Sequence, residues 1–121
     1  MQSWNLLELE TPSGTRSPIV LHSTDEARAV LIGIAPGQEL GDHQVHEHAY
    51  IVVVDGLVRV EAGTDSLEAR PGMLVRFEEK ERHRVSSAEG ARVLLILAPW
   101  PGPGHYRGGP ERSEVSAEQP G

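Results

Sequence analysis

Three histidines and a glutamate lie within six positions of the chain, and side chains of these types can bind a metal ion. They are His43, His46, Glu47 and His48, in the stretch GDHQVHEHAYIVVVDG of residues 41–56. The protein contains no cysteine, so any metal would be bound by histidine, carboxylate or water. Clustered histidines on a loop are also commonly just solvated, and the cluster alone does not decide between the two interpretations.

A strand through this cluster would divide its side chains between two faces. Because side chains alternate along a strand, His43 and Glu47 would share one face, and His46 and His48 the other. A ligand set from one strand must use a single face unless a bulge intervenes. One candidate ligand set contains His43 and Glu47. In the alternative set, the ligand is His43, His46 or His48, and a bent loop brings the chosen histidine into position. Gln44 is a further candidate, as a weak oxygen ligand.

Composition excludes several classes of function. The 121 residues carry a net charge of −7 and no basic run, so nucleic-acid binding is not expected. The N-terminus lacks the basic and apolar regions of a signal peptide. The longest apolar run, Val93–Trp100, is far shorter than the roughly 20 residues of a membrane span. These features predict a cytoplasmic protein that does not enter a membrane. No serine-hydrolase elbow or phosphate-binding loop is present.

The elements that must position these residues are short strands. Turn signals every 8–12 residues are typical of an antiparallel sandwich or barrel, and no segment has a convincing helical pattern. Asp55-Gly56 is a strong hairpin signal. The predicted strands cover residues 19–21, 28–34, 50–54, 57–61, 66–69, 73–77, 84–87 and 92–98.

Periodicity and composition also predict how the chain is organised. Val58, Val60 and Ala62 alternate with polar residues, which indicates a strand with one solvated face, whereas residues 93–97 are apolar throughout and predict burial of both faces. One domain is expected over residues 1–100, with its core at about 18–98. Residues 101–121 are rich in Pro and Gly and are interpreted as a tail.

The run from Pro36 to His83 resembles the cupin family of small RmlC-like β-barrels. Its second motif is the clearest part: Gly72 and His83 are separated by the family's spacing, although Glu78 and Lys80 replace the usual Pro and Gly. The resemblance implies an all-β, single antiparallel β-barrel or jelly roll. It also implies that His83 is the best single candidate for a metal ligand.

The first cupin motif can be aligned in three ways. Counting back from Gly56 places the family's first histidine on His43 and leaves two of the expected ligand positions without a histidine or carboxylate. A second alignment makes His43 the second histidine and Glu47 the carboxylate. A third takes His46 and His48 as the pair and provides no carboxylate.

Two functions remain open from the resemblance. In the first, His43, Glu47 and His83 form a two-histidine, one-carboxylate site for a divalent ion of Fe, Mn, Ni, Zn or Cu. The protein would then act on a small molecule, as a dioxygenase or an isomerase does. In the second, a metal-free barrel binds a small molecule, or serves in sensing or scaffolding. One fold hosts many activities, so the fold alone does not choose.

Arg76 is the candidate for substrate binding. It lies on an otherwise apolar strand between Val75 and Phe77. If its side chain points outward, it is a surface residue. If it points into the barrel, it would pair with Glu47 or bind an anionic group of a substrate through its planar guanidinium.

The family resemblance also implies a homodimer. The N-terminal segment contains Trp4, Leu6, Leu7 and Leu9, which could be buried across an interface. The expected mode of association is an exchange of this segment as an edge strand between two copies.

Overall fold

The computed structural model describes residues 1–11, 18–40, 48–78 and 80–99. These residues form strands and turns and contain no helix, so the all-β prediction is confirmed. It follows that none of them belongs to a helix long and apolar enough to cross a membrane. The strands are β1 (Pro18–Ser23), β2 (Arg28–Ile34), β3 (His48–Gly56), β4 (Val58–Ala62), β5 (Asp65–Ala69), β6 (Leu74–Phe77), β7 (His83–Ser86) and β8 (Ala91–Ala98).

The strands form two antiparallel sheets that pack face to face. The larger sheet has the order β1-β2-β8-β3-β6 and the smaller one the order β5-β4-β7. Among the described residues, an isolated bridge between Glu39 and Ser86 lies outside the named strands, and the hydrogen bonding does not close the two sheets into one ring. The arrangement is the jelly roll that was predicted.

Strand alternation decides which side chains form the core. In the larger sheet, Val30, Ile51 and Val93 point inward, and in the smaller sheet Val60 and Val85 do the same. These side chains are buried and fill the space between the sheets. The predicted alternation on β4 is confirmed, because Val58 and Val60 are buried while Arg59 is exposed. On β8 the predicted burial of both faces holds only in part: Val93 and Leu97 on the inner face are buried, whereas Leu94, Leu95 and Ile96 are half-buried.

The turn at Asp55-Gly56 is not a hairpin, and that prediction was wrong. Gly56 has a φ of 83° and does turn the chain. However, β3 is paired on both sides, with β8 and β6, so β4 continues into the other sheet. A bulge between Val53 and Asp55 precedes the turn, and bulges bend a strand in this way. The chain does form a hairpin at β4 and β5, where Ala62 pairs with Asp65.

The N-terminal segment packs on the outer face of the larger sheet. Residues 1–11 contain a turn in which the backbone N–H groups of Glu8 and Leu9 donate to the carbonyl of Asn5. Arg92 on β8 anchors this turn: its guanidinium donates to the carbonyl oxygen of Leu6 at 2.7 Å and to that of Leu9. These residues are not a strand, so the expected edge-strand exchange finds no support here. The homodimer itself stays a prediction.

Replacing Arg92 with methionine should release this segment. Hydrogen bonds that involve a charged group contribute roughly 1.5–3 kcal/mol, and Arg92 makes two of them to one turn. Amide hydrogen exchange in residues 1–11 should accelerate at least tenfold, while the sheets remain protected. Arg59→Met is the control, because Arg59 contacts Glu61 and Ser66 on the smaller sheet. Unchanged exchange in Arg92→Met would show that other contacts hold the segment.

Candidate functional site

His83 begins β7 and points into the space between the sheets. It is 4% exposed, and it alternates with the exposed Arg84 before the fully buried Val85. The chain turns just before this position, where the N–H of Glu81 donates to the carbonyl of Glu78 at 3.1 Å. Lys80 in this turn has a φ of 64°, a left-handed conformation that glycine adopts more easily. It is the position at which the cupin motif has a glycine.

Two contacts fix the orientation of the His83 ring. Its Nδ1 lies 3.0 Å from the carbonyl oxygen of Glu81. Because a carbonyl oxygen only accepts hydrogen bonds, Nδ1 donates in this contact, and in the neutral ring Nε2 carries the lone pair. The ring also stacks on Phe77 with the centroids 4.0 Å apart and the planes 10° apart. A backbone carbonyl on one ring nitrogen is the usual support for a histidine that binds a metal through the other. His83 therefore fits the role of a metal ligand.

Register shows which other residues lie at this end of the fold. In the larger sheet, Phe77 pairs with Ala49, which pairs with Leu97, which pairs with Arg28. These four residues form one transverse row on the inner face. In the smaller sheet, His83 pairs with Ala62. Because Phe77 stacks on His83, this pair of residues lies opposite the Phe77 end of the row.

A depression of about 460 Å³ lies beside His83, at the edge of the smaller sheet. This size is sufficient for a small molecule. However, much of its lining comes from residues that project from the outer face of that sheet, including Glu61 and Arg84. There Arg84 pairs with Glu61 and with Glu39. The depression therefore adjoins the space between the sheets but does not lie inside it.

His48 faces away from His83. Its neighbour Ala49 is 1% exposed and belongs to the inner row, so alternation places His48 on the outer face of the larger sheet. The Nδ1 atom of His48 is buried and has no hydrogen-bond partner in the part of the chain that the structure describes. The structure thus separates His48 from the row that contains Phe77, as the alternation argument from the sequence expected.

Arg76 also lies on the outer face of the larger sheet. It pairs with Tyr50 in the register of β3 and β6, and its guanidinium contacts the carboxylate of Glu78. Its side chain is 47% exposed. The outward orientation was one of the two alternatives left open by the sequence. The other, a substrate-binding role inside the barrel, finds no support in this placement.

The remaining predicted ligands lie outside the described residues. These are His43, Gln44, His46 and Glu47. Within residues 1–11, 18–40, 48–78 and 80–99, no group of three or more His, Cys, Asp or Glu side chains is placed to hold a metal ion. The described part of the candidate site therefore consists of His83, its supporting residues and the row that faces it.

Arg28 is the residue that sequence reasoning missed. It shares the inner face of β2 with Val30 and Ile32, it is half-buried, and its Nε atom is shielded from solvent. Arg28 has the same parity as Val30 and Ile32, but Ala29 and Leu31 at the other parity are also apolar, so the sequence does not show which face is the inner one. Arg28 was not recognised because residues 28–34 were predicted to form a strand without an assignment of its two faces.

Comparisons with known proteins agree with this fold. A family model described as "Cupin domain" matches residues 30–98, which is more than half of the chain. Among curated proteins, none matches the sequence.

Several solved structures share the fold. An RmlC-like cupin protein from Desulfovibrio desulfuricans is 26% identical, with a TM-score of 0.73 over 82% of this chain and 97% of that one. The protein TT1209 from Thermus thermophilus is 23% identical, with a TM-score of 0.73 over 82% and 98% of the two chains. KdgF from Halomonas sp. is 23% identical, with a TM-score of 0.63 over 68% and 78%.

Proposed function

Because the chain belongs to the cupin family, we propose that it binds a divalent metal ion at the His83 end of the two sheets and that this site acts on a small molecule. The observation that carries the proposal is the fixed orientation of the His83 ring. A buried imidazole that donates from Nδ1 to a backbone carbonyl presents Nε2 in one direction, and this preorganisation favours metal binding over simple packing.

His43 and Glu47 are the proposed partners of His83 in this site. Their support is parity: both have the same parity as Ala49, whose side chain lies on the inner face. Two neutral imidazoles and one carboxylate suit Fe, Mn, Ni or Zn, and leave coordination positions for water or a ligand. A bound ion of this kind would supply Lewis acidity or oxygen activation.

The chain's own residues would orient and shield this site. Phe77 covers one face of the His83 ring, and Ala49 and Leu97 extend the apolar surface beside it. Apolar surroundings exclude water and strengthen the electrostatic interactions of a bound ligand.

Metal analysis of untagged protein tests the proposal. Wild-type protein reconstituted with Fe, Mn, Ni, Zn or Cu should retain about one equivalent of at least one of them after gel filtration, and His83→Ala should lose most of it. A metal present at 100 times its dissociation constant stabilises the folded state by about 2.7 kcal/mol, so a chelator should lower the melting temperature of wild type and not of His83→Ala.

The matched control is His22→Ala, because His22 is exposed on β1 and its removal should not alter metal content. His83→Gln is a second variant in case the alanine variant folds poorly, with circular dichroism confirming the fold. Wild-type protein that retains none of the five metals, or a His83 variant that retains as much as wild type, would contradict the proposal. A metal-free binding domain would then be the better description.

A further inference from the structure

Arg28 introduces a positive charge into an otherwise apolar row. Its neighbours across the larger sheet are Leu97, then Ala49, then Phe77. Charged residues rarely face a protein interior without a specific role, because removing a charge from water is unfavourable. Other arginines on strands are placed differently, on the outer faces of the two sheets: Arg59, Arg76 and Arg84.

The position of Arg28 relates it to the candidate metal site. Three strand spacings separate Arg28 from Phe77, which is about 14 Å along the sheet at the usual separation of neighbouring strands. Phe77 in turn stacks on His83. A row of this length leaves room for a small organic molecule between its two ends. Arg28 and His83 therefore flank the same end of the space between the sheets.

We infer that Arg28 binds a carboxylate group of an anionic small-molecule ligand whose opposite end lies at His83. This inference rests on the proposed function for the position of the ligand, and it adds the ligand's chemical class. The guanidinium is planar and can donate two parallel hydrogen bonds to a carboxylate. The protein's net charge of −7 would repel organic acids elsewhere, so an inward-facing cation gives this site its selectivity for them.

Calorimetric titration with defined probes tests the inference. The probes are malonate and succinate, each compared with its neutral diamide, and both metal-loaded and chelator-treated protein are titrated. Wild-type protein should bind at least one dicarboxylate at least tenfold more tightly than the matching diamide. Arg28→Met should lose at least tenfold in dicarboxylate affinity while keeping its metal content. Arg28→Lys should bind with intermediate affinity, because lysine keeps the charge but not the planar fork.

Arg76→Met is the matched control. It removes an arginine from the outer face of the same larger sheet and should leave dicarboxylate binding unchanged. The inference is overturned if Arg28→Met, folded by circular dichroism, binds the dicarboxylates as tightly as wild type. It is also overturned if wild type binds neither dicarboxylate better than its diamide.

The two proposals fail in different ways. If wild-type protein retains no metal but its chelator-treated form still binds a dicarboxylate through Arg28, the proposed metal function fails and the assignment of Arg28 stands. If metal is retained and dicarboxylate binding depends on the metal but not on Arg28, the proposed metal function stands and the assignment of Arg28 fails.

Discussion

Replacing Phe77 with alanine is expected to lower the free energy of unfolding by about 3–5 kcal/mol, the usual range for a buried aromatic residue. Phe77 is 2% exposed and belongs to the core between the sheets. Its removal leaves a cavity beside the His83 ring, which then loses its stacking partner at 4.0 Å. Urea denaturation monitored by circular dichroism measures the change in stability.

The control for this prediction lies on the same strand. Leu74 is also on β6, but it points to the outer face and is 62% exposed. Leu74→Ala should change stability by no more than about 0.5 kcal/mol, as surface substitutions usually do. Equal losses in the two variants would contradict the assignment of Phe77 to the core and of Leu74 to the surface. Phe77→Leu, which preserves more volume, should retain most of the stability but bind metal more weakly, because the stacking on His83 is lost.

Replacing Gly56 with alanine is the second substitution with a large expected effect. Gly56 has a φ of 83°, and an added Cβ would clash with the carbonyl oxygen of Gly90 and lie 2.8 Å from the Cα of Ala91. The left-handed conformation contributes about 1–2 kcal/mol of destabilisation, and overpacking adds about 1–3 kcal/mol. A total loss of about 2–5 kcal/mol is therefore expected in denaturant unfolding.

Gly72→Ala separates the two contributions. Gly72 has a φ of 94°, and an added Cβ there would meet nothing within 4 Å. Only the conformational effect applies, so the loss should be about 1–2 kcal/mol. If Gly72→Ala is as destabilising as Gly56→Ala, the close approach of the β3 turn to Gly90 does not contribute, and the passage of the chain between sheets is less tightly packed than the structure indicates.

The strands could be predicted from local pattern, but their partners could not. Alternation on β4, as in Val58 and Arg59, correctly identified the buried face. The signal at Asp55-Gly56 correctly predicted the position of a turn but wrongly predicted that β3 and β4 pair with each other. A positive φ at glycine permits both a hairpin and a change of sheet. The pairing of β3 with β8 decided between them, and a contact between strands so distant in sequence leaves no local signature.

The site shows a similar division between what was predictable and what was not. The inward orientation of His83 follows from its spacing after Gly72 and from the apolar Val85 two residues later. The stacking on Phe77 and the hydrogen bond to Glu81 depend on a turn that brings β6 and β7 together. For Arg76, the local sequence pattern was compatible with either face of the larger sheet. Its pairing with Tyr50 in the register of β3 and β6 places it on the outer face. Arg28 required knowing which parity of β2 faces the interior.

The central position of β8 has a consequence for how the protein is made. Within the described sheet, β2 and β3 reach each other only through β8, which is the last described strand in the chain. During synthesis, early segments can form the pairs β1–β2 and β4–β5, but the larger sheet stays divided until residue 98 has left the ribosome. Apolar strands remain uncovered during that interval, which favours aggregation, and the distant pairings slow the final step. Newly made protein is therefore expected to aggregate more readily than the folded protein.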